Sequence, residues 1–207
     1  MRVRARHMFR RFARQESGAA MVEFAIVAPF FFFLIFLALD FGIFSSFNLM
    51  SEKAVQIAAR TAVTRPAACA GVPERHEAGT ITPLPRFGTN CRAGTNICAA
   101  VSTVSCSGDA TNPTAAEIWG RIGPLLPGGT GIDDLTFTYT QDPSMGYLGG
   151  PFTAIVTVDL DLPEFNFISP VGSLIGLVGG PNDVDSLDYR TISITLPAED
   201  LAAGTSG

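Results

Sequence analysis

Side chains suited to chemistry are scarce in this chain of 207 residues. It has two histidines, His7 and His76, too few and too far apart for a histidine metal cluster or a His-based nucleophile and base. The four cysteines, Cys69, Cys91, Cys98 and Cys106, lack the paired short spacing of a thiolate metal site. The glycine-rich stretch Gly128–Gly129–Thr130–Gly131 has neither the lysine nor the helix start that a phosphate loop requires, and reads as a turn. Asp133–Asp134 is an acidic pair, and Asp159 and Asp161 share the solvated face of a strand pattern, opposite Val158 and Leu160. The acidic run "PNDVDSLD" at Pro181–Asp188 lacks the ligand spacing of a defined calcium loop. This inventory predicts a protein that is not an enzyme and needs no metal or cofactor.

One carboxylate stands apart. Glu23 lies at the threshold of "ESGAAMVEFAIVAPFFFFLIFLALDFG", with Gly18 five residues before it, and no charge follows from Phe24 to Leu39. Apolar character resumes after Asp40 with Phe41, Ile43 and Phe44. At about 1.5 Å per helical residue the run covers the ~30 Å of a bilayer core. An ionisable group in such a segment costs ~2.5–3.5 kcal/mol on insertion scales, less near the interface, and usually marks function. Asp40 reads either as a second internal contact or as a marker of the outer interface. Pro29 removes one backbone hydrogen bond and crowds the carbonyl of Ala25, which predicts a kink or local melting.

The flanks orient the span. Arg2, Arg4, Arg6, Arg10, Arg11 and Arg14 all precede it, whereas the net charge is -5, so the remainder is acidic. The positive-inside rule keeps the N-terminus cytoplasmic and exports everything after about Ser45. The arginines read as a membrane anchor, not a nucleic-acid arm. A cleaved secretory signal would have an apolar region of ~7–15 residues ending in a small-x-small site; the longer run here fits a retained anchor. All four cysteines then lie on the exported side, where an even count predicts two disulfides, with three connectivities open.

The elements that position these groups follow from periodicity. "SFNLMSEKAVQIAARTAV" extends the helix, with Phe47, Met50, Ala54, Ile57, Ala58 and Thr61 as its apolar face and Glu52, Lys53, Gln56 and Arg60 opposite. The reading is one helix over 19–64, spanning the membrane at about 24–44, with an amphipathic extension over 45–64 that ends near Arg65–Pro66. Residues 66–112 form an irregular, surface-exposed, disulfide-stapled loop with a strand around Ile97–Val104. Asn112 as N-cap and Pro113 at the first position start a short helix with Ile118, Trp119 and Ile122 as its apolar face. Trp119 reads as a core or membrane-interface anchor.

Three alternating stretches predict strands: Leu135, Phe137, Tyr139; Ala154, Val156, Val158, Leu160, Leu162; and Ile192, Ile194, Leu196. The fold class is α+β, with a small antiparallel sheet packed on the amphipathic half of the long helix in the domain 65–207. The apolar "FNFISPVGSLIGLVGGPND" between the last two strands reads as a connecting loop with a short helix, packed on the domain or touching the membrane surface.

The segment Gly18–Ala19–Ala20–Met21–Val22–Glu23–Phe24–Ala25, with Pro29 and the exit Asp40–Phe41–Gly42, resembles the N-terminal signature of TadE-like proteins, minor pseudopilins of the tight-adherence (Tad, or Flp) pilus system. The resemblance runs from about Arg14 to Phe47. It implies a pilin-like fold, a basic cytoplasmic leader over 1–18, and cleavage by a prepilin peptidase between Gly18 and Ala19. It also assigns Glu23, Phe24, Pro29 and Asp40 to recognition and assembly, with Glu23 pairing the amine freed at Ala19 of the same or an adjacent subunit. The protein would sit in the inner membrane with a periplasmic domain, possess no cofactor, and associate with the peptidase, with other pilins or pseudopilins and with the Tad secretion machinery in a hetero- or homo-oligomeric assembly. An unprocessed single-pass subunit of an envelope secretion apparatus and a pilus-tip adhesin are the alternatives.

Overall fold

The computed structural model of the chain describes residues 16–170, 186–199 and 201. The arginine head, most of the Pro181–Asp188 run and the greater part of "FNFISPVGSLIGLVGGPND" with its expected short helix lie outside the described residues. Helix α1 runs from Glu16 to Ala62, 47 residues. It is continuous through Pro29, so the expected local melting does not occur. Proline deletes a single hydrogen bond, and the apolar helix formers on either side carry the helix across that gap.

The chain divides into two compact units, one of residues up to Phe44 with Asn166–Leu187, the other of Ser45–Phe165 with the residues from Asp188 on. The first contains the apolar part of α1, the one described helix long and apolar enough to cross a membrane. Its large side chains, among them Phe30, Phe31, Phe32 and Leu34, are exposed, as a lipid-facing helix requires.

The second unit is an α+β domain. Its strands are β1 (Val104–Ser107), β2 (Leu135–Gln141), β3 (Ala154–Leu160) and β6 (Ile192–Pro197); the two-residue strands β4 (Phe165–Asn166) and β5 (Ser186–Leu187), which lie between β3 and β6 in the sequence, pair with each other and, apart from Phe165, belong to the first unit. The main sheet has the order β1-β2-β3-β6, every pair antiparallel, with Phe137 opposite Cys106 and Val158, and Ile194 opposite Val158 on the far side. Strict alternation puts Leu135, Phe137, Tyr139, Ala154, Val156, Val158 and Leu160 on the buried face.

Helix α2 (Pro113–Ile122) is capped by Asn112, whose side chain accepts from the amides of Thr114 and Ala115, and it buries Ile118 and Ile122. Trp119 is half-buried and packs against the same core.

Two expectations are corrected. Ala54, Ala58 and Thr61 are buried as expected, together with Ser51, Val55, Ala59 and Ala62, whereas Met50 and Ile57 are exposed and Phe47 is half-buried. The alanines at 54, 58 and 62, spaced four apart, form a row of small side chains on one face of α1 that belongs to the same core as the buried face of the sheet. The strand expected at Ile97–Val104 begins only at Val104. The preceding residues form a single bridge, Ala78 with Cys98, beside a 3-10 turn at Cys91–Ala93.

Five residues after α1 lock the helix to the domain. Arg65 donates to both carboxylate oxygens of Glu117 on α2, at 2.9 and 3.1 Å. The carbonyl of Pro66 accepts from the Thr114 hydroxyl at 2.8 Å, and the amide of Ala68 donates to the Tyr139 hydroxyl at 2.9 Å. Cys69 is bonded to Cys106 of β1.

Candidate assembly and membrane-contact site

Gly18, Ala19, Glu23, Phe24, Pro29 and Asp40 all lie on α1. A side chain at Gly18 would meet nothing within 4 Å, so its backbone is open to approach. Glu23 and Phe24 are exposed, and no described residue pairs with Glu23. Glu23 stands four residues after Ala19, one turn higher on the same face. Helical side chains lean toward the N-terminus, which aims the Glu23 carboxylate back along the helix toward Ala19.

Asp40 is not part of that cluster, since it lies about 33 Å up the helix axis from Gly18 at 1.5 Å per residue. It is only 2% exposed. Its Oδ1 accepts from the amide of Ile168 at 3.2 Å and its Oδ2 from the amide of Ser169 at 2.9 Å. The rings of Phe41 and Phe167 lie 6.2 Å apart beside this contact. The carboxylate therefore makes an internal contact with a segment 128 and 129 residues away. Nothing in the sequence signals the partners, because they are main-chain groups that every residue type except proline carries.

The cysteines form the two disulfides expected, Cys69–Cys106 and Cys91–Cys98. His76 joins the second, with a ring nitrogen and the sulfurs of Cys91 and Cys98 within 4.8 Å of one another. The sulfurs are spent in the disulfide, which leaves no thiolate to hold a metal. His76 is instead structural. It is buried, its Nε2 accepts from the amide of Thr153 at 3.0 Å, and its ring packs on Phe152 at 5.1 Å. Burial pushes its pKa below the ordinary value, which favours the neutral ring. Gly146, at φ +86°, lies against this ring, leaving no space for a Cβ. The stapled loop is largely exposed, and Ala68, Cys69, His76, Cys91 and Ile97 are buried within it.

The acidic pairs serve the local fold. Asp134 accepts from the amide of Gly131 at 2.7 Å, and Asp161 accepts from the Thr191 hydroxyl at 2.6 Å. The Gly128–Gly131 stretch is a turn, closed by the amide of Thr130 donating to the carbonyl of Pro127.

No curated protein and no solved structure matches the chain. The profile of the family described as TadE-like protein matches residues 18–60. That interval starts at Gly18, includes Ala19, Glu23, Phe24, Pro29 and Asp40, and ends inside α1, so the sheet lies beyond it. Residues 18–60 are therefore similar to the TadE-like family.

Proposed function

We propose that the chain is a minor pseudopilin-like structural protein, without catalysis of its own, that helps to assemble a Tad/Flp-type pilus after a prepilin peptidase cuts between Gly18 and Ala19. The observation that carries this reading is the position of the family match. It begins at Gly18, where the arginine head gives way to the apolar helix, and it holds Glu23 one helical turn from the cut. Cleavage removes the basic head and frees an amine at Ala19 on the face to which Glu23 leans. Pairing of the two offsets the desolvation of both charges. The turn-to-turn spacing permits the pair within one subunit, and an exposed Glu23 is equally open to the amine of a neighbour. In this reading α1 anchors the protein in the inner membrane with its N-terminus cytoplasmic and its sheet domain periplasmic. Its partners are the peptidase, other pilins or pseudopilins and the Tad secretion machinery.

Mass spectrometry of the mature N-terminus tests this. Protein from cells that contain the peptidase should begin at Ala19, and Gly18→Val should retain the arginine head. An intact head on the wild-type protein would refute processing. It would favour an unprocessed single-pass subunit, a reading to which the unbroken course of α1 across Gly18 and Ala19 lends support.

A further inference from the structure

The burial of Asp40 has a physical explanation that reaches beyond the helix, and it rests on reading α1 as the membrane span. With the span at 24–44, Asp40 lies about 6 Å inside the end nearer the sheet domain, at 1.5 Å per residue. An unpaired carboxylate at that depth is costly, and so is irregular backbone with unsatisfied amides. In the contact seen here each cancels the other. The two oxygens of Asp40 take up the two amides of Ile168 and Ser169, and the carboxylate is closed off from its surroundings.

Ile168 is 76% exposed, with exposed Leu39 and Phe41 of α1 flanking the Asp40 that holds it. From Phe165 to Asn182 the sequence has no charge. Ile168 is fixed through Asp40 to the side of α1, and where that helix is embedded in lipid the medium around an isoleucine so placed is hydrocarbon.

We propose that Asn166–Pro170 is a second membrane contact of this protein: Asp40 clasps its main chain within the leaflet nearer the sheet domain, and the Ile168 side chain meets lipid acyl chains. The clasp ties the distal part of the chain to the bilayer at a fixed depth. The protein is thus held to the membrane at two places in its sequence.

Tryptophan quenching in liposomes of phosphatidylcholine and phosphatidylglycerol tests this on the full chain. Trp119 is the only native tryptophan, so the background is Trp119→Phe, with a single probe introduced by Ile168→Trp or, as a report on the span, Phe31→Trp. Both probes should emit at short wavelength, lose most of their emission when acyl-brominated lipid is used, and resist aqueous iodide. Asp40→Leu should move the Ile168→Trp probe to longer wavelength and open it to iodide while the Phe31→Trp probe stays lipid-quenched. Asp40→Asn, which keeps one acceptor oxygen, should give a smaller shift in the same direction.

The proposal is overturned if the Ile168→Trp probe is quenched by iodide and not by lipid while the Phe31→Trp probe behaves as embedded. Protection from both quenchers means that protein covers Ile168, and this also overturns it, as does an Asp40→Leu variant with the Ile168→Trp probe unmoved. Failure of the Phe31→Trp probe to sense lipid removes the span and the clasp together.

Discussion

Removal of the two disulfides, one pair at a time, should destabilise the sheet domain unequally. Cys69–Cys106 joins residues 37 apart and Cys91–Cys98 residues 7 apart. The loop-entropy relation assigns about 3.8 kcal/mol to the first and about 2.4 kcal/mol to the second at 25 °C. Each pair contains one buried and one half-buried cysteine, Cys69 with Cys106 and Cys91 with Cys98. Packing losses on replacement by alanine are therefore similar and largely cancel in the comparison. The difference, about 1.5 kcal/mol, depends only on the logarithm of the two loop lengths. Urea unfolding of the full chain in detergent micelles, followed by the emission of Trp119, measures it. Cys69→Ala/Cys106→Ala should unfold at lower urea than Cys91→Ala/Cys98→Ala. Equal midpoints, or the reverse order, would refute the reasoning and show that the short loop near His76 contributes through native-state contacts.

Three further outcomes follow from the geometry. Because burial lowers the pKa of His76 from its ordinary 6.5, the unfolded chain takes up a proton on acidification before the folded one does. Its contribution is present in full above pH 6.5 and is lost as pH falls through the depressed folded value; melting curves from about pH 8 to 5 should show the loss, and His76→Gln should flatten it. Tyr139→Phe removes the hydroxyl that accepts the buried Ala68 amide and should cost about 1–3 kcal/mol in the same urea assay. Ala58→Leu forces a large side chain between α1 and the sheet, where Ala58 is fully buried, and should cost about 1–3 kcal/mol, whereas Ile57→Leu, at an exposed site, should leave the midpoint unchanged.

Elements with strong local chemistry were legible in the sequence. Large residues alternating at Leu135, Phe137 and Tyr139 and from Ala154 to Leu160 marked two central strands, and Asn112–Pro113 marked the start of α2. The long apolar run followed by an amphipathic stretch marked α1 almost to its ends. The face that α1 buries was legible in part: Ala54, Ala58 and Thr61 are buried as expected, but hydropathy weighs Ile57 and Met50 heavily and alanines lightly, while close packing selects the alanines. Asp40 and Glu23 both stood out as charges at an apolar run, yet only the folded chain brings the amides of Ile168 and Ser169 to Asp40. Disulfide pairing and the seating of His76 depend likewise on loop paths that no local pattern encodes.

The stretch Arg65–Cys69 also determines how the sheet domain responds to tension. A pull along α1 leaves the helix at Ala62 and enters the domain through residues gripped by Glu117 and Thr114 of α2 and by Tyr139 of β2, then across a covalent bond to Cys106 of β1. The chain just after α1 is also tied near the far edge, where the amide of Glu199, two residues after β6, donates to the carbonyl of Val63 at 3.0 Å. Load is therefore shared among several elements at once and is not delivered to a single edge strand that could be peeled away. With Cys69–Cys106 intact, force that reaches Cys69 is carried through the cross-link into β1 and on to the β1–β2 ladder, in parallel with the hydrogen bonds to α2 and Tyr139.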